Sequence, residues 1–217
     1  LDQNLGQFIS ALENRIGKDE ILYVLTSDHG VLGLPEYLKS QGIDAGRIPK
    51  PTRDALFTLA LETIDKEVGP NKVNVYGNFF YFNTSMGFFE KRKATKILKS
   101  ILIKIPGIES ISSKSELLKG KNSNIDIRLK NMVHSQKSPD IYLIPKKYWT
   151  WIYPSGASHG SPYDYDAHVP LIFARAGQKA KVKSVRVKTV DIAPTVAKIL
   201  KIDFPKSIDG KALNLDE

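Results

Sequence analysis

Cysteine is absent from the 217 residues. That excludes disulfide scaffolds, iron–sulfur clusters, thiolate zinc sites and cysteine nucleophiles, and it leaves any transition metal to His, Asp and Glu. A cysteine-free chain suits an oxidising compartment as well as the cytosol, so the absence does not fix location. Long apolar runs are also missing. No stretch approaches the ~18 residues of a membrane span, and no glycine period points to a fibre. Histidine is scarce, with only His29, His134, His159 and His168.

What is present is ordinary globular composition, 41% hydrophobic and 25% charged. At roughly 150 residues per domain the length allows one large domain or two small ones, with enough chain to bury a core unaided. The sequence opens on Leu1 rather than Met, inside what reads as a helix, and is therefore expected to be a piece of a longer protein. The net charge of +9 is uneven. Residues 91–150 hold 14 Lys/Arg against 4 Asp/Glu, and the remainder holds 18 against 19. A nucleic-acid surface is one reading of that excess. No recognition motif accompanies it, so a solvated lysine-rich face is the expected one.

Leu1, Leu5, Phe8, Ile9, Leu12 and Ile16 recur at helical spacing, and Gly17 suits a helix stop. The run Ile21–Leu25 is continuously apolar, as in a strand of a parallel sheet covered on both faces. Thr26-Ser27-Asp28-His29-Gly30 would then sit at the carboxyl end of a central strand, where open α/β sheets bind ligands. Helices are expected over 53–67, 89–105 and 125–133. Strands are expected over 73–82, broken by a turn at Gly77-Asn78, and at 108–111 and 141–144. Val169–Phe173 is a second candidate central strand with Pro170 at its start. Asp191 suits an N-cap for a helix through Leu200. The expected architecture is α/β with a mostly parallel core sheet, interrupted by an α+β cap. The core comprises 1–46 and 146–217, and the cap is 47–145.

Asp28 and His29 offer a carboxylate and an imidazole just past a strand, where the chain can turn both toward one divalent ion. A turn in which Asp28 caps backbone amides explains the same residues. Gly156–Gly160 matches G-x-S-x-G, but Pro162 and a Tyr-Asp alternation follow where a nucleophile elbow needs a helix, so a serine hydrolase is rejected. Tyr148, Trp149 and Trp151 suit either a substrate wall or packing between cap and core. His134 lies among Lys130, Ser135, Gln136 and Lys137 and reads as a surface residue.

The stretches T-S-D-H-G at 26–30, H-G-S-P-Y-D-Y-D-A-H-V-P-L-I-F at 159–173 and V-D-I-A-P-T at 190–195 together resemble the alkaline phosphatase superfamily. The branch they resemble holds the bacterial phosphate-irrepressible alkaline phosphatases and the type I phosphodiesterase/nucleotide pyrophosphatases. The likeness runs through nearly the whole chain in order. It implies hydrolysis of small phosphate esters at two zinc ions, with manganese or iron as alternatives, by a Thr or Ser nucleophile. It assigns Asp28 and His29 to one ion and His159 to the other. Asp164 or Asp166 would orient His159 through the far ring nitrogen, and His168 is a further outer-sphere or core histidine. The resemblance places the nucleophile and the remaining ligands in an N-terminal half that this sequence lacks. The 217 residues alone are therefore expected to be inactive and to need that half as a partner. It also implies an exported, periplasmic or extracellular protein. The alternative is a basic non-catalytic module binding nucleic acid or acidic polymer through 91–150.

Overall fold

The computed structural model describes residues 1–120, 124–151 and 154–215. In chain order the elements are α1 (Asp2–Ile16), β1 (Leu22–Thr26), α2 (Pro35–Ser40), β2 (Gly46–Arg47), α3 (Lys50–Glu67), β3 (Val73–Tyr76) and β4 (Phe79–Phe82). There follow α4 (Phe88–Leu102), β5 (Ile108–Ser113), α5 (Lys114–Lys119), α6 (Asn124–Met132), β6 (Ile141–Pro145), β7 (Trp149–Thr150), α7 (Asp164–Ala167), β8 (Leu171–Arg175) and α8 (Ile192–Leu200). The chain forms two compact units, one of residues 1–28 with 169–217 and one of residues 29–168.

The first unit pairs β1 with β8 antiparallel, Leu22 opposite Arg175 and Thr26 opposite Leu171. Leu25 and Ile172 remain about half exposed, and α1 buries no side chain. The unit's buried residues are instead Asp191, Pro194 and Thr195, at the start of α8. Asp191 Oδ2 accepts from the Lys188 amide at 2.8 Å and Oδ1 from the Lys211 amide at 2.9 Å. The Thr195 hydroxyl donates to the Asp191 carbonyl at 2.6 Å and accepts from the Leu213 amide at 2.9 Å. Asp191 stands at the N-cap position, but its side chain does not cap α8. A capping residue needs extended backbone angles, whereas Asp191 closes a 3₁₀ turn at Thr189–Asp191 with φ −76° and ψ −12°.

The second unit carries the hydrophobic core. Its sheet runs β3-β4-β6-β5, with each neighbour antiparallel. β3 and β4 form a hairpin with Tyr76 opposite Phe79, and Gly77 takes φ +61°, the positive angle that a two-residue hairpin loop requires. Ala60 and Ile64 from α3 and Ala94, Leu98 and Leu102 from α4 recur at helical spacing. They meet Phe80 and Ile141 from the sheet, all fully buried. β2 and β7 make a short parallel pair.

The α/β reading holds, but the sheets are mixed rather than mostly parallel. Among the described residues only β2 and β7 run parallel. The apolar run Ile21–Leu25 does not fix the pairing direction, since both directions share a period of two, and β1 is not covered on both faces, with Leu25 half exposed. β8 begins at Leu171, two residues after the expected start at Val169, because Pro170 supplies no ladder donor. Truncating Leu98 to Ala is expected to cost the second unit about 2–5 kcal/mol, read as a lowered denaturation midpoint.

Candidate functional site

The boundary between the two units falls between Asp28 and His29. Asp28 is exposed, and the neighbouring Ser27 hydroxyl donates to its Oδ1 at 3.2 Å. Within the second unit, His29 and His159 come together from opposite ends of the sequence. Their rings stack with centroids 3.5 Å apart and planes 7° apart. His29 Nδ1 lies 2.8 Å from the Gly30 carbonyl. A carbonyl can only accept, so Nδ1 is the donor in this contact.

Two backbone contacts make this meeting. The Gly30 amide donates to the Asp166 carbonyl at 2.7 Å, and the Leu32 amide to the Ser158 carbonyl at 2.8 Å. A Cβ on Gly30 would run into the Tyr165 carbonyl, so the residue after His29 must lack a side chain. The loop bearing His159 is then tied down along its length. Arg47 Nη2 donates to the Gly156 carbonyl at 3.0 Å while Nε donates to Glu36 at 2.6 Å. Arg47 holds the Glu36 carboxyl below its ordinary range by that bond. Arg128 donates to the Pro162 carbonyl at 2.8 Å and pairs with Asp164 at 2.7 Å. The Tyr163 hydroxyl donates to the Pro145 carbonyl at 2.9 Å, and burial pushes that phenol up to about 12.

The two candidate carboxylates differ sharply. Asp164 faces outward to Arg128 with its side chain 78% exposed. Asp166 is buried, its Oδ2 accepts from the Ser161 amide at 2.7 Å, and its Oδ1 is buried with no hydrogen-bond partner. His168 is exposed at the end of α7, and its amide donates to the Asp164 carbonyl at 2.8 Å. His134 is a surface residue whose Nδ1 accepts from the Gln136 and Lys137 amides, both at 3.2 Å. Ser158 lies in a loop rather than at the start of a helix, as the rejection of a nucleophile elbow requires. Among the described residues no three His, Asp or Glu side chains converge as a metal site needs. Sequence reasoning missed Arg47, whose partner Gly156 is 109 residues away and leaves no local signal. It also missed the role of Gly30, which was legible as a glycine directly after Asp-His.

Comparison with known proteins follows from this geometry. Alkaline phosphatase PhoD of Zymomonas mobilis subsp. mobilis is 29% identical over all of this chain and 40% of its own length. Alkaline phosphatase PhoV of Synechococcus elongatus is 26% identical over 98% of this chain and 39% of its own. Four of the five matching relatives are named alkaline phosphatases, and the fifth, of Myroides odoratus, is named a calcium-transporting ATPase. The crystal structure of alkaline phosphatase PafA superposes with a TM-score of 0.81 at 25% identity, over 98% of this chain and 41% of that one. The fold is thus that of part of an alkaline phosphatase. The chain spans about 40% of the length of the relatives it matches. No protein-family model matches it. Among the described residues no helix is long and apolar enough to cross a membrane.

Replacing Gly30 by Ala is expected to separate the two loops at a cost of about 1–3 kcal/mol. The upfield ring-current shifts of the His29 and His159 protons should disappear from the NMR spectrum, while circular dichroism stays unchanged. The Tyr163 anchor sets a pH limit. Its pKa is raised on folding, so its contribution is complete below the unfolded value of about 10. It is lost as pH climbs toward about 12. Denaturation midpoints should fall over that window, and the fall should be shallower in Tyr163→Phe.

Proposed function

We propose that the chain is part of a metal-dependent phosphate-ester hydrolase of the alkaline phosphatase superfamily. The observation that carries this reading is the stacked His29–His159 pair, in a chain whose full length aligns with alkaline phosphatases. The donors suit a borderline divalent ion such as zinc: two imidazoles, with Asp28 directly before one of them in sequence. Asp166 Oδ1, buried and without a hydrogen-bond partner among the described residues, is a further oxygen that a cation would satisfy.

In this reading Asp28 and His29 hold one ion and His159 the other. Bound metal supplies positive charge against the phosphoryl oxygens and lowers the pKa of water. The chain's own part is positional. The Gly30 carbonyl fixes the His29 tautomer that presents Nε2. Asp166 gathers the Ser161 amide and the Gly30 amide into one turn, so the His159 loop follows the His29 loop. Asp166 rather than Asp164 holds the His159 loop, through the Ser161 amide and not through the His159 ring, while Asp164 is paired with Arg128.

The Thr or Ser nucleophile and the remaining ligands lie outside these residues, and so the 217-residue chain alone turns over no phosphate ester. Export to the periplasm or beyond belongs to the same proposal. The alternative, a basic binding module, is weakened by acids from outside 91–150 that pair into it, Glu67 with Lys93, Asp164 with Arg128 and Asp44 with Lys146, and so offset part of the excess charge.

The test is a zinc titration of the purified chain with a parallel p-nitrophenyl phosphate assay. Weak zinc binding is expected, lowered about tenfold or more by His29→Ala and by His159→Ala, with no hydrolysis above the blank. Zinc-dependent hydrolysis abolished by His159→Ala would show that the nucleophile is within this chain. Zinc binding indifferent to both histidines would overturn the metal reading.

A further inference from the structure

Beside the histidine pair the second unit holds a cleft of about 310 Å³ whose chemistry is unlike that of the pair. His159 and Ser161 form one end. Asn78, Thr150 and Asp166 also line it, and most of the remaining walls are apolar or aromatic, among them Trp149, Trp151, Phe79, Met132 and Tyr165. Phe79, Met132, Trp149, Trp151 and His159 come from four separate places in the unit: β4, the end of α6, the β7 segment and the loop that bears His159. Trp149 is fixed rather than adaptable. Its ring lies against Gly107, where a Cβ would collide with it, and its Nε1 donates to Asp44 at 3.1 Å. The rim is open, since Phe79 is 49% and Met132 60% exposed although both are large and apolar.

We propose that this cleft is the subsite for a planar aromatic leaving group of the phosphate ester, an aryl or nucleobase ring. The proposal rests on the phosphate-ester reading above, because that reading puts the scissile group at His159. Three observations favour an aromatic ring. Trp149, Trp151 and Phe79 present flat rings, Trp149 held in place, and these give contact area with planar ligands at little entropic cost. The volume is at the small end of ligand pockets, enough for one or two fused rings. The cleft is also continuous with His159, so a ring held there leaves its ester oxygen directed to the metal-ligating end.

Both tryptophans of the chain line this cleft, so intrinsic fluorescence reports on it directly. The experiment titrates the 217-residue chain, without added metal, with adenosine, phenol and, as an aliphatic control, cyclohexanol. Saturable quenching by adenosine or phenol, at least about tenfold tighter than any response to cyclohexanol, is expected. Phe79→Ser and Met132→Ser, both at exposed positions that the fold tolerates, should each weaken it severalfold. Phe89→Ser, at an exposed position on α4 outside the cleft, should not. Adenosine and phenol separate the two sources of the ring: tighter adenosine points to nucleotide esters, tighter phenol to aryl esters, and either supports the subsite. Equal responses to all three compounds, no saturation, or insensitivity to both cleft variants would overturn it. None of these probes carries phosphate or needs metal. Loss of ring binding with intact His29- and His159-dependent zinc binding would therefore sink the subsite alone, and the converse would sink the hydrolase reading alone.

Discussion

Everything distinctive about this molecule depends on one close approach of backbone to backbone, at Gly30 and Tyr165–Asp166. With no side chain between them, the Gly30 amide reaches the Asp166 carbonyl and two segments from opposite ends of the second unit become one surface. The imidazoles of His29 and His159 stack as a result. Long segments with little regular structure are otherwise poor places to hold chemistry. This one is held by Arg47, Arg128 and Tyr163, each of which reaches a backbone carbonyl at a different point. A hydrogen bond from a buried or charged donor to a carbonyl constrains the main chain directly, so the position of His159 does not depend on its own packing.

The hydrophobic core serves this arrangement from a distance. Phe80, Leu98 and Ile141 fasten α3 and α4 to the antiparallel sheet, and that platform carries Pro145, β7 and the base of the cleft. The first unit is built differently. Pro194 and Thr195 lie fully buried there among hydrogen bonds, while Leu5, Phe8, Leu25 and Ile172 stay substantially exposed. Its order comes from polar closure around Asp191 more than from burial of apolar surface.

Much of this was legible in the residues. The helices α1, α3 and α4 follow apolar periodicity, and the β3–β4 hairpin follows Gly77-Asn78 between strand formers. His29 and His159 stood out because histidine is rare here and both sit in unusual polar company. Pairing direction was not legible, because parallel and antiparallel strands share a period of two, and the apolar run Ile21–Leu25 overstated the cover of β1, whose Leu25 is half exposed. The choice between Asp164 and Asp166 was not legible either. They sit two residues apart in one sequence environment. Only the fold turns one out to Arg128 and the other in to Ser161. α5 was missed although Ser113 and Glu116 form its capping box, since the six-residue helix shows no apolar period.

The V-D-I-A-P-T stretch, which helped to carry the family resemblance, acquires another meaning from its geometry. Asp191 and Thr195 clasp Lys211 and Leu213 close to the end of the chain and take part in no reactive cluster. A motif of this kind marks a family through architecture. Variants at these two positions would therefore show themselves as scarce protein, cleared by proteolysis once the 211–213 segment is loosened from α8. Any measurement scored per cell would confuse them with lesions elsewhere in the chain, and only normalisation to the amount of folded protein would separate the two.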